Sequence, residues 1–225
     1  QTLLNTVLES RQSVLVREII GLLRPAAGRV RLLGIDVWSA SEGELTALRR
    51  RFGMLFQDGA LFSSLTVAQN VATPLIEHAD VPPHLLGPLV RLRIALAGLP
   101  VEAASKMPSE LSGGMRKRAA VARALALEPE VLFLDEPTSG LDPITARAFD
   151  RLLRFLCDDL GLTILVVTHD LETLLGIVDR AIVLAGGKVL ADGPVKDVMQ
   201  VDDPWLQSYF RVRTMLEGTE YNRGT

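Results

Sequence analysis

Two carboxylates, Asp135 and Glu136, stand side by side directly after the apolar run Val131-Leu132-Phe133-Leu134. Such a run reads as a strand buried on both faces of a parallel sheet, and open α/β sheets bind ligands at the C-terminal edge of such strands. An acid there can hold Mg2+, directly or through water, and a second beside it can polarise a water for attack on phosphorus. Alone, the pair could equally cap the next loop or helix. Upstream, Leu111-Ser112-Gly113-Gly114-Met115 opens an alanine- and arginine-rich stretch that runs to Leu125, a composition of strong helix propensity. Two glycines and a hydroxyl at a helix start make an anion site, because free N–H groups and the helix dipole converge there. As a simple cap the string would be ordinary. A third candidate, His169, follows the apolar run Thr163 to Thr168. A histidine after a strand is by itself more often a packing or surface residue, and His78 and His84 are read as such.

These groups need a scaffold, and the sequence pattern supplies one. Val131–Leu134 and Thr163–Thr168 read as buried strands, and between them Pro143 to Leu160 has apolar residues at helical spacing before Gly161. Together they make one β-α-β unit of a parallel sheet. Ala181–Leu184, Gly186-Gly187 and Lys188–Ala191 read as a hairpin with a glycine turn. From Val67 to Glu110 there is no convincing strand, prolines recur and apolar residues keep helical spacing, as in a small helical subdomain inserted into the α/β domain. From Met199 onward the chain turns polar and loses periodicity, which reads as a peripheral appendage.

Composition narrows the class. A chain of 225 residues, 48% hydrophobic and 23% charged, builds one domain, or a domain with a small subdomain, and is too apolar to be disordered. The net charge of −3 and the absence of a sustained basic stripe give no reason to expect nucleic acid. The local runs Arg49-Arg50-Arg51 and Arg116-Lys117-Arg118 read as solvated helix faces. The single cysteine, Cys157, fits a reducing compartment. No apolar run is long enough to span a bilayer, while the positive mean hydropathy of +0.26 suits buried strands or a docking surface.

In combination and order the motifs resemble the nucleotide-binding domain of ABC ATPases, over most of the chain. Leu111–Met115 resembles the family signature, Leu134-Asp135-Glu136-Pro137 the Walker B region and Ser139-Gly140-Leu141-Asp142 the D-loop. Thr168-His169-Asp170 resembles the switch-histidine segment, and Gln57 in Phe56-Gln57-Asp58-Gly59 the Q-loop. The resemblance implies an α/β fold like that of P-loop NTPases, with a parallel core sheet, an antiparallel β part and the inserted helical subdomain. The core would comprise residues 1–66 and 111–198, the subdomain 67–110, and the appendage 199–225. It also implies ATP and Mg2+ as cofactors and a head-to-tail pair of copies. Asp135 and Gln57 would serve the metal, Glu136 would orient water and His169 would contact the γ-phosphate. Ser112, Gly113, Gly114 and Asp142 would contribute to the nucleotide site at the dimer contact.

The family also needs a glycine-rich loop ending in Gly-Lys-Ser/Thr, and none is present. The only lysines are Lys106, Lys117, Lys188 and Lys196. The helix that should follow such a loop reads at Leu15–Leu23. The expectation is that residues are missing near Val14 and Leu15, with a similar discontinuity near Arg211 to Arg213; a degenerate or regulatory subunit without turnover is the alternative. The short insertion between Gln57 and Ser112, without coiled-coil heptads, favours transport over the non-transport ABC proteins. Phe56–Phe62, the signature with Met115, and Asp142-Pro143-Ile144 look most like the Mla/Mce group of bacterial lipid-transport ATPases, and so does Asp203–Phe210. That resemblance implies a cytoplasmic homodimer on the inner membrane, working with integral-membrane permease subunits and possible Mce-type and accessory subunits. Asp58–Thr66 beside the Q-loop is apolar enough to receive a partner helix, although Leu61 and Phe62 could also be core.

Overall fold

Residues whose side chains are apolar on both faces form the centre of the sheet. The computed structural model describes residues 4–8 and 12–210, with side chains from Val14 onward. In chain order the elements are β1 (Leu4–Leu8), α1 (Gln12–Ile19), β2 (Arg31–Leu32), β3 (Ile35–Asp36), α2 (Glu42–Arg49), β4 (Phe52–Leu55), α3 (Val67–His78) and α4 (Pro83–Leu96). After two short 3-10 turns come α5 (Gly113–Ala124), β5 (Val131–Asp135), α6 (Pro143–Asp158), β6 (Thr163–Val167), α7 (Leu171–Ile177), β7 (Arg180–Ala185), β8 (Lys188–Pro194) and α8 (Val195–Val198). The main sheet runs β4-β5-β6-β1-β7-β8. Its strands are parallel from β4 to β7, and β8 returns antiparallel. β2 and β3 pair separately.

Leu132, Phe133 and Leu134 of β5 and Ile164, Val166 and Val167 of β6 are buried. Helix α6 covers one face with Phe149, Leu152, Leu153 and Leu156. Its start is set by Asp142, whose carboxylate accepts from Ile144 N–H and Thr145 N–H, followed by Pro143 in the first turn. The hairpin turn Gly186-Gly187 sits in the left-handed region, with φ of +58° and +75°, as a two-residue connection between right-twisted strands requires. Helices α3, α4 and α5 pack together through Val71, Leu75, Val90, Ile94 and the buried Ala119–Ala122.

Three expectations need correction. Helix α1 ends at Ile19, not Leu23: Gly21 turns left-handed at φ +79°, and Leu22 and Leu23 N–H groups fold back on the Arg17 carbonyl at 2.8 and 3.0 Å. The part of the appendage that is described is not peripheral: residues 204–210 are helical and bury Leu206 and Phe210 against Leu174, Ala181 and Val183. Arg116-Lys117-Arg118 is not a solvated face. Lys117 is buried, and Arg118 donates to the carbonyls of Ala97 and Ala148 at 3.0 and 2.9 Å.

The α6–α7 contact contains a buried acid. Thr173 Oγ1 donates to the Asp150 carboxylate at 3.2 Å, and burial, with the charges of Asp170 and Glu172 adding to it, pushes the Asp150 carboxyl up to about 6. A folded value above the unfolded one means that folding favours the protonated form. The contribution is complete below about pH 4 and is lost as pH rises through about 6. Asp150→Asn is therefore expected to stabilise the fold by up to about 3 kcal/mol at about pH 7.5 and by little at about pH 4. Denaturant titrations at both pH values check this, and equal effects at the two would refute it.

Candidate functional site

β5 and β6 pair with Leu134 opposite Val166 and Asp135 opposite Val167, so both strands release their chains at the same sheet edge. Glu136 N–H donates to the Val167 carbonyl at 2.9 Å, extending the ladder by one residue. The backbone then turns sharply, with Glu136 at φ +47°, a region that costs a residue with a Cβ roughly 1–2 kcal/mol. Lys117 Nζ donates to the Glu136 carbonyl at 3.1 Å. On the other side Glu136 Oε1 lies 2.7 Å from His169 Nδ1. The three contacts over-determine a strained residue, as is common where strain serves a site. The carboxylate is shielded at 16% exposure while the imidazole is open at 79%, so His169 can meet a ligand arriving from solvent.

The other candidates fall into separate places. Asp135 is buried at the end of β5. Gln57 lines a cavity of about 450 Å3 together with Asp58, Gly113, Lys117 and Ser139. Ser112 caps α5, its Oγ accepting from Met115 N–H at 3.3 Å. Asp142 caps α6, and its hydrogen bonds from Thr145 hold its carboxyl below the ordinary aspartate range. The structure thus joins Glu136 to His169, and Gln57 to Gly113, with Lys117 touching both sets. Burial lowers the Lys117 ammonium, and the charges of Asp58 and Glu136 work against that shift. Lys117 was legible in principle, since it lies three residues after Gly114 and four before Val121, on the buried stripe of α5.

Among the described residues no group of three His, Cys, Asp or Glu could enclose a metal ion. Mg2+ asks for less, because it keeps waters and phosphate oxygens as ligands, and Asp135 and Gln57 carry side-chain oxygens of the kind it takes. A phosphate cradle is a different matter. β1 ends at Leu8 and α1 begins at Gln12, leaving Glu9-Ser10-Arg11, which contain neither glycine nor lysine. Val14 and Leu15 lie inside α1, so the expected discontinuity does not fall between them; Arg211 to Arg213 lie outside the described residues.

The loop after β4 is tied down from beneath. Arg123 donates to the Ala60 and Gly59 carbonyls at 2.8 and 3.2 Å, and Asn70 Oδ1 accepts from Phe62 N–H at 2.8 Å. Leu61 packs on the core, whereas Phe62 stays 51% exposed under the Arg123 guanidinium.

Gly114 has a packing reason as well as a chemical one. A Cβ there would lie 2.5 Å from Thr145 Cγ2, so α5 meets α6 at the signature. Gly114→Ala is expected to cost about 1–2 kcal/mol net of its better helix propensity. Thr145→Ser, which removes the opposing methyl, should restore most of that loss in a denaturation midpoint; no rescue would mean the contact is not the cause.

Residues 12–139 match the family model described as ABC transporter. The intermembrane phospholipid transport system ATP-binding protein MlaF of Haemophilus influenzae is 42% identical over 192 residues, covering 85% of this chain and 72% of that protein. MlaF of Escherichia coli is 42% identical over 207 residues, covering 92% and 74%. Among solved structures, the dimeric post-hydrolysis state of the ATP-binding cassette MJ0796 bound to ADP and Pi superposes with a TM-score of 0.77 at 30% identity, covering 86% of this chain and 85% of that one. A family match over more than half of the sequence, together with identity of this order along nearly its whole length, leaves one conclusion: the chain belongs to the ABC transporter family.

Proposed function

We propose that the chain is the ATP-binding and ATP-hydrolysing subunit of a transporter that moves lipid within a bacterial envelope, phospholipid being the cargo named for its MlaF relatives. The observation that carries the reading is the 2.7 Å approach of His169 Nδ1 to Glu136 Oε1 at the C-terminal edge of a parallel sheet, where such sheets place their chemistry. Bound Mg2+–ATP supplies an electrophilic phosphorus and a cation that offsets the charge of its oxygens. The protein side is positional. Glu136 accepts a hydrogen bond from the attacking water and orients it, His169 offers its exposed imidazole to the terminal phosphate, and Asp135 with Gln57 holds the metal.

Ser112, Gly113 and Gly114 serve the nucleotide of a second copy, with Asp142 at the contact. A solved relative is itself dimeric, and Ile144, beside Asp142 at the start of α6, is 81% exposed, as a residue awaiting a partner surface would be. No helix among the described residues is long and apolar enough to cross a membrane. In this reading the dimer sits at the cytoplasmic face of the inner membrane, and permease subunits dock by the half-exposed Phe62, with Mce-type subunits beyond them. The missing Gly-Lys-Ser/Thr loop belongs at the joint between Leu8 and Gln12, since that is where the first parallel strand hands over to a helix. The joint as it stands favours a second reading, a regulatory subunit without turnover.

Three proteins separate the readings. The 225-residue chain should show negligible ATP turnover. The same chain with a glycine-rich Gly-Lys-Ser/Thr loop restored at Leu8–Gln12 should hydrolyse ATP. In that background Glu136→Gln should reduce turnover by at least about 100-fold while ATP binding persists. No turnover after restoration favours the regulatory subunit, and undiminished turnover in Glu136→Gln removes the role given to Glu136. Co-purification with an integral-membrane partner is the expected companion result; a soluble monomer with full activity would count against transport.

A further inference from the structure

The turn that carries His169 is held from behind by the C-terminal segment. β6 ends at Val167 and α7 begins at Leu171, so residues 168–170 belong to neither element. The flanks of the turn are fixed locally: Asp170 N–H donates to Thr168 Oγ1 at 3.0 Å and Glu172 N–H to Asp170 Oδ1 at 2.9 Å. His169 itself has two hydrogen-bond contacts among the described residues. Its imidazole faces Glu136, and its backbone carbonyl accepts from the Tyr209 hydroxyl at 2.9 Å.

Tyr209 lies on a docked segment. The helical segment 204–210 starts at Asp203, whose Oδ1 accepts from the Trp205 and Leu206 N–H groups at 2.9 and 3.0 Å. Leu206 and Phe210 are buried against Leu174 of α7 and Ala181 and Val183 of β7. The Trp205 ring stacks on Tyr209 with centroids 5.3 Å apart and planes 13° apart, and Phe210 meets it edge-on at 5.4 Å and 83°, both favourable aromatic geometries. Burial, with the charges of Asp170 and Glu136 adding to it, raises the phenol to about 12, so the hydroxyl remains a donor through the physiological range.

We propose that residues 204–210 brace the His169 turn and that Tyr209, through its hydroxyl, is the positioning residue that keeps the imidazole against Glu136. Without that bond the peptide plane after His169 is held only through the Asp170 N–H, which donates to Thr168 Oγ1 at 3.0 Å, and it can tilt about that single contact and take the His169 side chain away from Glu136. The catalytic meaning of the brace rests on the reading of His169 as the group that meets the terminal phosphate, whereas the brace itself is a property of the nucleotide-free chain.

Tyr209→Phe keeps the aromatic stack and removes only the donor. The chain contains three histidines, and the imidazole signal of His169 in an NMR spectrum is assigned by its loss in His169→Gln. In the native chain Glu136→Gln should shift that signal. In the Tyr209→Phe background the same change should shift it about fivefold less, as expected when one hydrogen bond no longer holds the contact, with His78 and His84 signals and the melting temperature unchanged. Leu206→Ala, which loosens the anchor, should reproduce the effect if it folds; Tyr209→Phe decides alone if it does not. In the loop-restored enzyme Tyr209→Phe should lower kcat about fivefold at unchanged KM for ATP. An unchanged response of His169 to Glu136→Gln in Tyr209→Phe overturns the brace. Absence of any turnover in the restored enzyme sinks the functional reading and leaves the spectra to judge the brace.

Discussion

The pairing of β5 with β6 is the constraint from which the site follows. Five residue pairs from Val131↔Thr163 to Asp135↔Val167 bring two chain exits to one sheet edge, and one further bond, Glu136 N–H to the Val167 carbonyl at 2.9 Å, carries the register past the last strand residue. A slip by one residue would turn each side chain to the opposite face and move Glu136 away from His169. The burial of Leu132, Leu134, Ile164 and Val166 makes such a slip costly, because apolar side chains would leave one packed face and crowd the other. The core thus specifies the distance between a carboxylate and an imidazole that contribute nothing to the core themselves.

Lys117 shows how the site is supported from the helical side. A buried ammonium is expensive, and its depressed proton affinity records that cost. The charges of Asp58 and Glu136 offset part of it, and the carbonyl of Glu136, a residue in the left-handed region, accepts one of its donors at 3.1 Å. The strain at Glu136 and the desolvation of Lys117 are therefore coupled: each makes the other tolerable. Arg123 does similar work nearly two turns further along α5, holding the Gly59 and Ala60 carbonyls where the loop after β4 passes over α5.

The parts of the molecule legible in the sequence were those in which chemistry and periodicity coincide. Val131–Asp135, the α6 helix and the glycine hairpin carry their signals within a few consecutive residues, and the structure places them where the pattern does. Glu136 was legible as one of two acids after a buried strand, and His169 gained its role through resemblance, but their contact was not legible, since nothing in a stretch of sequence says that residues 33 apart will meet. Lys117 and Arg118 were misread because charge suggests solvent, whereas long basic side chains also satisfy buried carbonyls. The C-terminal helix was missed for a similar reason. Asp202-Asp203-Pro204 reads as a polar loop, yet Asp203 is a cap, and two apolar side chains four apart, Leu206 and Phe210, suffice to dock one short turned segment.

Helix α5 is where these separate devices become one. Its N-terminus carries the signature against α6, so closely that Gly114 leaves no room for a Cβ beside Thr145. Its C-terminus crosses β4 closely enough that a Cβ at Gly53 would lie 2.5 Å from the Ala124 carbonyl oxygen. Between them the buried Ala119–Ala122 let α3 and α4 pack on its other side. A helix pinned by backbone-close contacts at both ends transmits displacement instead of absorbing it, because packed interiors have little free volume to take up a shift. A push on the loop at Phe62 reaches Arg123 directly, and from the same helix Lys117 touches the carbonyl of Glu136. Small residues at the contacts and long cations along the helix thus give a single element access to both the Phe62 loop and the backbone of Glu136.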